Sequence, residues 1–317
     1  MEVREPRSFL AAIIGDGRPL ILLTALALAG SGAFAWFLSA TGSFLPHDVE
    51  FLGMEPRQLC AIHQCRIVHF MFHDRVAFGG VLVSIATLYT WLALFPLRHG
   101  EAWAWWTLLG TAVAGFASFL AYLSYGYLDS WHGWATLALL PINFGGLWLT
   151  RRLVRGDAQF FSPGWTPEIW RSRDGIGRLC LLGTGAGMTG AGLVILFVGM
   201  TSVFVPQDLV FLGMTRAQLH AINPRLIPLI AHDRAGFGGG LLTTGLLVLA
   251  VVWKGRPSRP LWEALLAAGT CGFVCAIGIH YPIRYLDPFH LAPAWSGFAM
   301  FVTGMILNRP RYFRHSE

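Results

Sequence analysis

The chain has 317 residues, of which 55% are hydrophobic and only 13% are charged, and its mean hydropathy is +0.55. A soluble domain carries about 25% charged residues, so this composition excludes a soluble globular protein and indicates an all-α integral membrane protein. The net charge of +6 predicts orientation in a membrane rather than binding to nucleic acid, and no nucleic-acid partner is expected.

Apolar runs long enough to cross a bilayer recur along the whole chain. They predict eight transmembrane helices, at roughly 19–41, 67–95, 102–124, 131–150, 178–202, 228–253, 261–281 and 290–308. With the N-terminus inside, most of the 23 basic residues fall in cytoplasmic segments, as the positive-inside rule requires. The sequence therefore predicts a multi-pass protein of a bacterial-type inner (plasma) membrane, surrounded by the lipid bilayer, with both termini in the cytoplasm.

The two halves of the chain repeat one another at an offset of about 160 residues. "FLPHDVEFLGM" (44–54) returns as "FVPQDLVFLGM" (204–214), "HDRVAFGG" (73–80) as "HDRAGFGG" (232–239), and "YLDSWH" (127–132) as "YLDPFH" (285–290). An even number of spans returns each half to its starting side. The halves are therefore predicted to be parallel four-helix-bundle repeats, at 1–150 and 178–317, related by a pseudo-twofold axis along the membrane normal and joined by a polar cytoplasmic linker at 151–177.

The residues that both halves keep in their apolar segments are polar. The second and sixth spans open with His73, Asp74 and Arg75, and with His232, Asp233 and Arg234; the fourth and eighth open with Asp129 and His132, and with Asp287 and His290. All four spans enter from the extracytoplasmic side, so we expect His73 near His132, and His232 near His290, close to the outer surface. Ionisable groups in a span cost about 2.5–3.5 kcal/mol each and normally mark functional sites.

The histidines of this set are candidate metal ligands, because imidazoles on facing helices form a common heme or metal arrangement. The candidates are His73, His132, His232, His290 and also His69, which lies one turn before His73 on the same helix face. Asp74, Asp129, Asp233 and Asp287 are candidate catalytic groups or acceptors that orient the histidines. Arg75 and Arg234 are candidates to bind an anionic group of a cofactor. The alternative is that Asp74 or Asp129 only forms an internal ion pair with Arg75 that pins the helices.

Two further features of the outer loops carry predictions. Cys60 and Cys65 lie in the first extracytoplasmic loop, an oxidising location in bacteria, where a disulfide or a redox pair is feasible and two unpaired thiols are the alternative. The loops that contain "FLGM" are predicted to lie over each bundle as lids. His280 has Tyr122 at its matching position in the first half and is interpreted as an interfacial residue.

In its eight spans, two four-helix repeats, histidines on the second and fourth spans of each half, and loop cysteines, the chain resembles the heme A synthase family. The resemblance implies that His73 and His132 face one heme and that His232 and His290 face another. It also implies that Cys60 and Cys65 are the loop pair of that family. Heme is therefore one expected cofactor, and a transition metal ion is the other.

The resulting hypothesis is an integral membrane redox protein, a membrane-bound oxidoreductase, that binds heme or another metal through its outer histidines. Its substrate would be lipid-soluble, such as a quinone or heme. One alternative is a proton-coupled transporter with His and Asp relays. Others are a metal-independent transferase or cyclase that uses these residues as acids and bases, and a subunit of a larger membrane complex whose polar pairs only hold helices together.

Overall fold

The computed structural model describes residues 8–121, 127, 130–159 and 161–314 of the chain. Throughout these residues the protein is helical, and no β-strand occurs in this part of the chain. The helices are α1 (Phe9–Ile14), α2 (Arg18–Thr41), α3 (Pro46–Leu52), α4 (Pro56–Cys60), α5 (Arg66–Leu94), α6 (Ala102–Ala121), α7 (Ser130–Thr150), α8 (Arg173–Gly199), α9 (Pro206–Leu212), α10 (Arg216–Ile222), α11 (Leu226–Lys254), α12 (Arg259–Gly278), α13 (His280–Ile283) and α14 (Pro288–Phe313).

Eight long helices occupy the eight segments where the apolar runs predict spans, namely α2, α5, α6, α7, α8, α11, α12 and α14. Within the described residues, six of the helical segments are long and apolar enough to cross a membrane; they contain α2, α5, α8, α11, α12 and α14. The protein is therefore a helical protein with several membrane-length helices. Helices α6 and α7 adjoin residues outside the described part, so their crossing stays a prediction.

The long helices interlock across the two halves of the sequence. Helix α5 packs along α2 of its own half and along α12 of the other half, and α11 packs along α8 and α6 in the same way. Helices α5 and α11 also contact one another directly. The third long helix of each half thus lies against the second long helix of the opposite half, and the two central helices α5 and α11 are the most buried of the membrane-length helices.

Glycines near the middle of α5 and of α11 permit this close packing between the halves. A Cβ atom added to Gly80 of α5 would lie 2.6 Å from Cβ of Cys275 on α12, and one added to Gly239 of α11 would collide with the Ser118 side chain on α6. Small residues at helix interfaces let the backbones approach closely in a membrane, where packing rather than water exclusion drives association. The repeated Gly-Gly pair after each HDR triplet therefore supports helix contact.

Short helices in the outer loops pack on the first turns of α5 and α11. Helices α3 and α9 each begin with proline at the first helical position and end at a glycine with positive φ, Gly53 (φ 63°) and Gly213 (φ 64°). Their inward faces join one apolar cluster that includes Leu52, Leu212 and Phe70. This cluster covers the N-terminal turns of α5 and α11, next to the HDR triplets.

The interlocked packing predicts that a bulky side chain at Gly80 destabilises the protein. Gly80→Leu should lower the free energy of unfolding in detergent micelles by about 1–3 kcal/mol or more, because α12 must move away from α5. Gly110→Leu is the matched control, since a Cβ atom there meets nothing within 4 Å, and it should be neutral. Equal losses for the two variants, measured by denaturant titration, would contradict the observed packing.

Candidate functional site

Two ion pairs cross between α5 and α11 at the level of the HDR triplets. The Nε atom of Arg75 on α5 donates to Oδ2 of Asp233 on α11 at 2.9 Å, and Nε of Arg234 on α11 donates to Oδ2 of Asp74 on α5 at 3.2 Å. The sequence indicated that Asp74 or Asp129 was a possible partner of Arg75. The structure instead pairs each arginine with the aspartate of the opposite half; Asp129 lies outside the described residues.

Each arginine also holds a second carboxylate, supplied by the short helix of its own half. Arg234 donates from Nη1 to Oδ2 of Asp208 at 2.6 Å, and Tyr285 donates to the other oxygen of Asp208 at 2.8 Å. We call Asp74, Arg234, Asp208 and Tyr285 the Arg234 network. The corresponding Arg75 network consists of Asp233, Arg75, Asp48 and Tyr127, with Arg75 Nη2 at 2.9 Å from Asp48 and the Tyr127 hydroxyl donating to Asp48 at 2.5 Å.

Both networks are buried and carry more negative than positive charge. In the Arg234 network, Asp74 is 2% exposed and Asp208 is fully buried, against a single arginine. Hydrogen bonds and Coulomb attraction to two carboxylates offset the free-energy cost of removing one guanidinium from water. The remaining negative charge favours a cation nearby, such as a metal ion.

Three histidines meet beside the Arg234 network. The Nε2 atoms of His73 and His280 are 3.0 Å apart, and the ring centres of His73 and His290 are 5.6 Å apart. One nitrogen from each of the three rings lies within 4.8 Å of the others. His73 comes from the first half of the sequence and the other two come from the second, so the cluster exists only because the halves interlock.

Hydrogen bonds on Nδ1 of His73 and of His290 fix the orientation of these two rings, and Nε2 of His73 contacts Nε2 of His280 within the cluster. Nδ1 of His73 lies 3.0 Å from Oδ1 of Asp74, and because a carboxylate only accepts, this nitrogen is the donor. Burial, followed by the nearby Asp208 carboxylate, raises the pKa of Tyr285, so its hydroxyl stays protonated. That proton goes to Asp208, and Nδ1 of His290, at 3.2 Å, therefore donates to the tyrosine oxygen.

The resulting arrangement fits a single transition metal ion. Two nitrogens on a tetrahedral ion with bonds of about 2.0–2.1 Å stand about 3.4 Å apart, close to the observed spacing of His73 and His280. Among the described residues, the metal-ligating side chains that converge here are these three histidines, which leaves a coordination position open. The ring centres of Tyr285 and His290 are 4.4 Å apart. A heme held by His73 and His290 would therefore require both His280 and Tyr285 to move aside.

The remaining predicted site residues lie elsewhere. His69 lines an outer groove together with Cys60 and Cys65, which form a disulfide. Asp287 accepts a hydrogen bond from the backbone nitrogen of His290 at 2.8 Å and so caps the start of α14.

His232 belongs to the Arg75 network, with Nδ1 3.3 Å from Asp233 and its ring 5.1 Å from that of Tyr127. The expected partner His290 is instead beside His73. The side chain of His132 is outside the described part, so its pairing stays a prediction.

Sequence reasoning missed His280, which was interpreted as an interfacial residue, and assigned no site role to Asp48, Asp208, Tyr127 or Tyr285. The signal for the last four was present, because each pair stands at matching positions of the repeat. His280 lacks such a signal, since the first half has tyrosine there. Its only hint is its position just before "YLDPFH", at the outer end of a membrane-length segment.

The buried network predicts a large effect of removing its cation. Arg234→Ala leaves the carboxylates of Asp74 and Asp208 without their shared partner and should lower the free energy of unfolding by about 3–5 kcal/mol. Arg259→Ala breaks an exposed ion pair with Glu263 and should cost less than about 1 kcal/mol. Denaturant titration in micelles compares them, and Asp208→Asn added to Arg234→Ala should restore part of the loss. Equal effects of the two arginine variants would show that the network does not stabilise the fold.

Comparisons with known proteins gave no match: the chain matches no protein-family model, no curated protein and no solved structure.

Proposed function

We propose that this chain is an integral membrane redox protein that holds a transition metal ion between His73, His280 and His290. The observation that supports the proposal is the convergence of the three imidazoles, two of them with fixed ring orientation, beside a buried network with excess negative charge. Imidazole ligands suit copper, iron and zinc. Copper or iron bound here would supply one-electron chemistry, and the open coordination position would admit a substrate.

The residues around the cluster have distinct tasks in this proposal. Asp74 and Tyr285 orient the rings of His73 and His290 and raise their basicity as ligands, as second partners of metal-bound histidines do. Arg234 holds both carboxylates of its network in place. Its guanidinium lies 4.9 Å from the Phe70 ring centre, and Phe70 with Phe211 helps the outer apolar cluster to exclude water from the site.

The proposal includes a location at the outer side of a bacterial-type inner membrane, with eight spans and both termini in the cytoplasm. The disulfide between Cys60 and Cys65 supports it, because disulfides persist in oxidising compartments and this one lies directly before α5. The HDR triplets open their helices on the same side. A lipid-soluble substrate would then reach the cluster from the outer leaflet of the bilayer.

Metal analysis of the purified protein tests the proposal. We expect copper or iron in stoichiometric amount by mass spectrometry. Separate His73→Ala, His280→Ala and His290→Ala variants should lose most of the metal, and Asp74→Asn should weaken metal affinity about 10–100-fold. His220→Ala, at an exposed position of α10, is the matched control and should retain the metal.

Three results would overturn all or part of this proposal. A folded wild-type protein without stoichiometric metal would reject the metal centre. Zinc as the native metal would keep the centre but reject its redox role. A heme absorption band that persists in His280→Ala and is lost in His232→Ala would move the cofactor to the Arg75 network and support the resemblance to heme A synthases instead.

A further inference from the structure

The Arg75 network opens into a cavity. The cavity has a volume of about 230 Å³ and lies between α2, α5, α6, α7 and α11. Arg75, Asp48, His232 and Asp233 line one part of it. Cavities with apolar walls and a few converging polar groups are the usual form of small-molecule sites.

The cavity is elongated along the helices. On α5 its wall runs from Arg75 through Phe78, Leu82 and Ile85 to Tyr89, which are residues of one helix face. The fourteen residue-to-residue steps from Arg75 to Tyr89 span about 21 Å along the helix. Helix α2 contributes a matching face from Thr24 to Leu38. The shape therefore suits a long, narrow molecule that lies parallel to the membrane normal.

The walls between the two ends are mostly apolar, with Leu28, Leu82, Ile85, Phe116 and Leu139 among their residues. The inner end is polar. There the Tyr89 hydroxyl lies 3.1 Å from that of Thr111, and the side-chain nitrogen of Asn143, which is 1% exposed, has no hydrogen-bond partner among the described residues. This polar floor limits the length of an apolar tail that the cavity can hold to about 20 Å.

The charges at the outer end select the head group. One arginine faces two carboxylates, Asp48 and Asp233, and both ion pairs are already formed at 2.9 Å. An anionic head would meet the excess negative charge in a low-dielectric site and be repelled. A neutral head that donates hydrogen bonds would instead find carboxylate oxygens as acceptors.

We infer that this cavity binds a neutral amphiphile with a hydroxyl-bearing ring or head at the Arg75 network and an apolar tail between α2, α5 and α7, of the chemical class of a quinol. Arg75 directly follows Asp74, the residue that orients His73, so the head would lie next to the proposed metal centre. The inference rests on the proposed function in one respect, that this molecule is the substrate of the metal centre. Binding of the molecule does not involve the proposed metal ligands His73, His280 and His290.

Binding of a synthetic benzoquinol with a ten-carbon tail tests the inference, measured by calorimetry in detergent on wild-type protein and on the His290→Ala variant. We expect saturable binding to both, since the cavity does not use the metal ligands. Loss of metal from His290→Ala with retained quinol binding separates the two proposals. The corresponding quinone, which only accepts hydrogen bonds, should bind at least about tenfold more weakly, and decanoate should show no saturable binding.

Filling the cavity should abolish binding. In Gly115→Phe, the new ring enters the cavity from α6, whereas in the control Gly110→Phe it points away from the protein, because a Cβ atom there meets nothing within 4 Å. Leu139→Trp, in the wall, and Leu140→Trp, which is 41% exposed at the native leucine, form a second matched pair on α7 in case Gly115→Phe fails to fold.

The expected result is a loss of affinity of at least about tenfold, 1.4 kcal/mol, in each cavity variant and none in its control. Unchanged quinol binding in a folded cavity variant would overturn the inference. Equal or tighter binding of decanoate would overturn the assignment of a neutral head. No binding of any amphiphile to a metal-loaded wild-type protein would reject the cavity while leaving the proposed metal centre in place.

Discussion

The crossed ion pairs between α5 and α11 are the constraint on which the rest of the structure depends. An arginine or aspartate in a membrane-length helix costs about 2.5–3.5 kcal/mol even on insertion scales, and it is tolerated only with a partner. Here Arg75 finds Asp233 and Arg234 finds Asp74, so the aspartate of each triplet has its arginine partner in the opposite half. The two halves are therefore held together at their most costly residues, and separating them would leave buried charges unpaired.

The crossing also decides which histidines meet. His73 is the neighbour of Asp74 in sequence and shares a hydrogen bond with it, so whatever fixes Asp74 fixes His73. Because Asp74 points to Arg234 and hence to Asp208 and Tyr285 of the second half, His73 is directed to His280 and His290. The three-histidine cluster is thus a consequence of charge pairing between halves, and its histidines would not converge without it.

Much of the fold could be predicted from the sequence because long apolar runs have one structural solution in a membrane. The long helices occur where those runs lie, and the Pro and Gly residues that bound α3 and α9 mark short helices at matching positions. The HDR triplets were also located correctly toward the N-terminal ends of α5 and α11. Their partners were not, because a repeat specifies which residues are equivalent but does not say whether contacts form within a half or between halves. His280 was missed for a related reason. It belongs to only one of the two sites, so comparing the halves did not identify it as a site residue.

The side chains around the two networks differ, although each arginine lies over an aromatic ring, Arg234 over Phe70 and Arg75 over Phe44. Phe70 fills the space below Arg234, where its ring contacts the guanidinium and lies within 6.5 Å of Phe211 and Tyr285. The repeat places the smaller Leu229 at the matching position of α11. His280 adds a third imidazole on the side of the Arg234 network, whereas the Arg75 network borders a cavity. One frame of arginine, two aspartates and tyrosine, used twice, can therefore hold an ion in one copy and leave room for a larger ligand in the other. Because α5 carries Asp74 and Arg75 side by side, the two contents would be neighbours, which is the arrangement that electron exchange between a metal ion and a bound lipid requires.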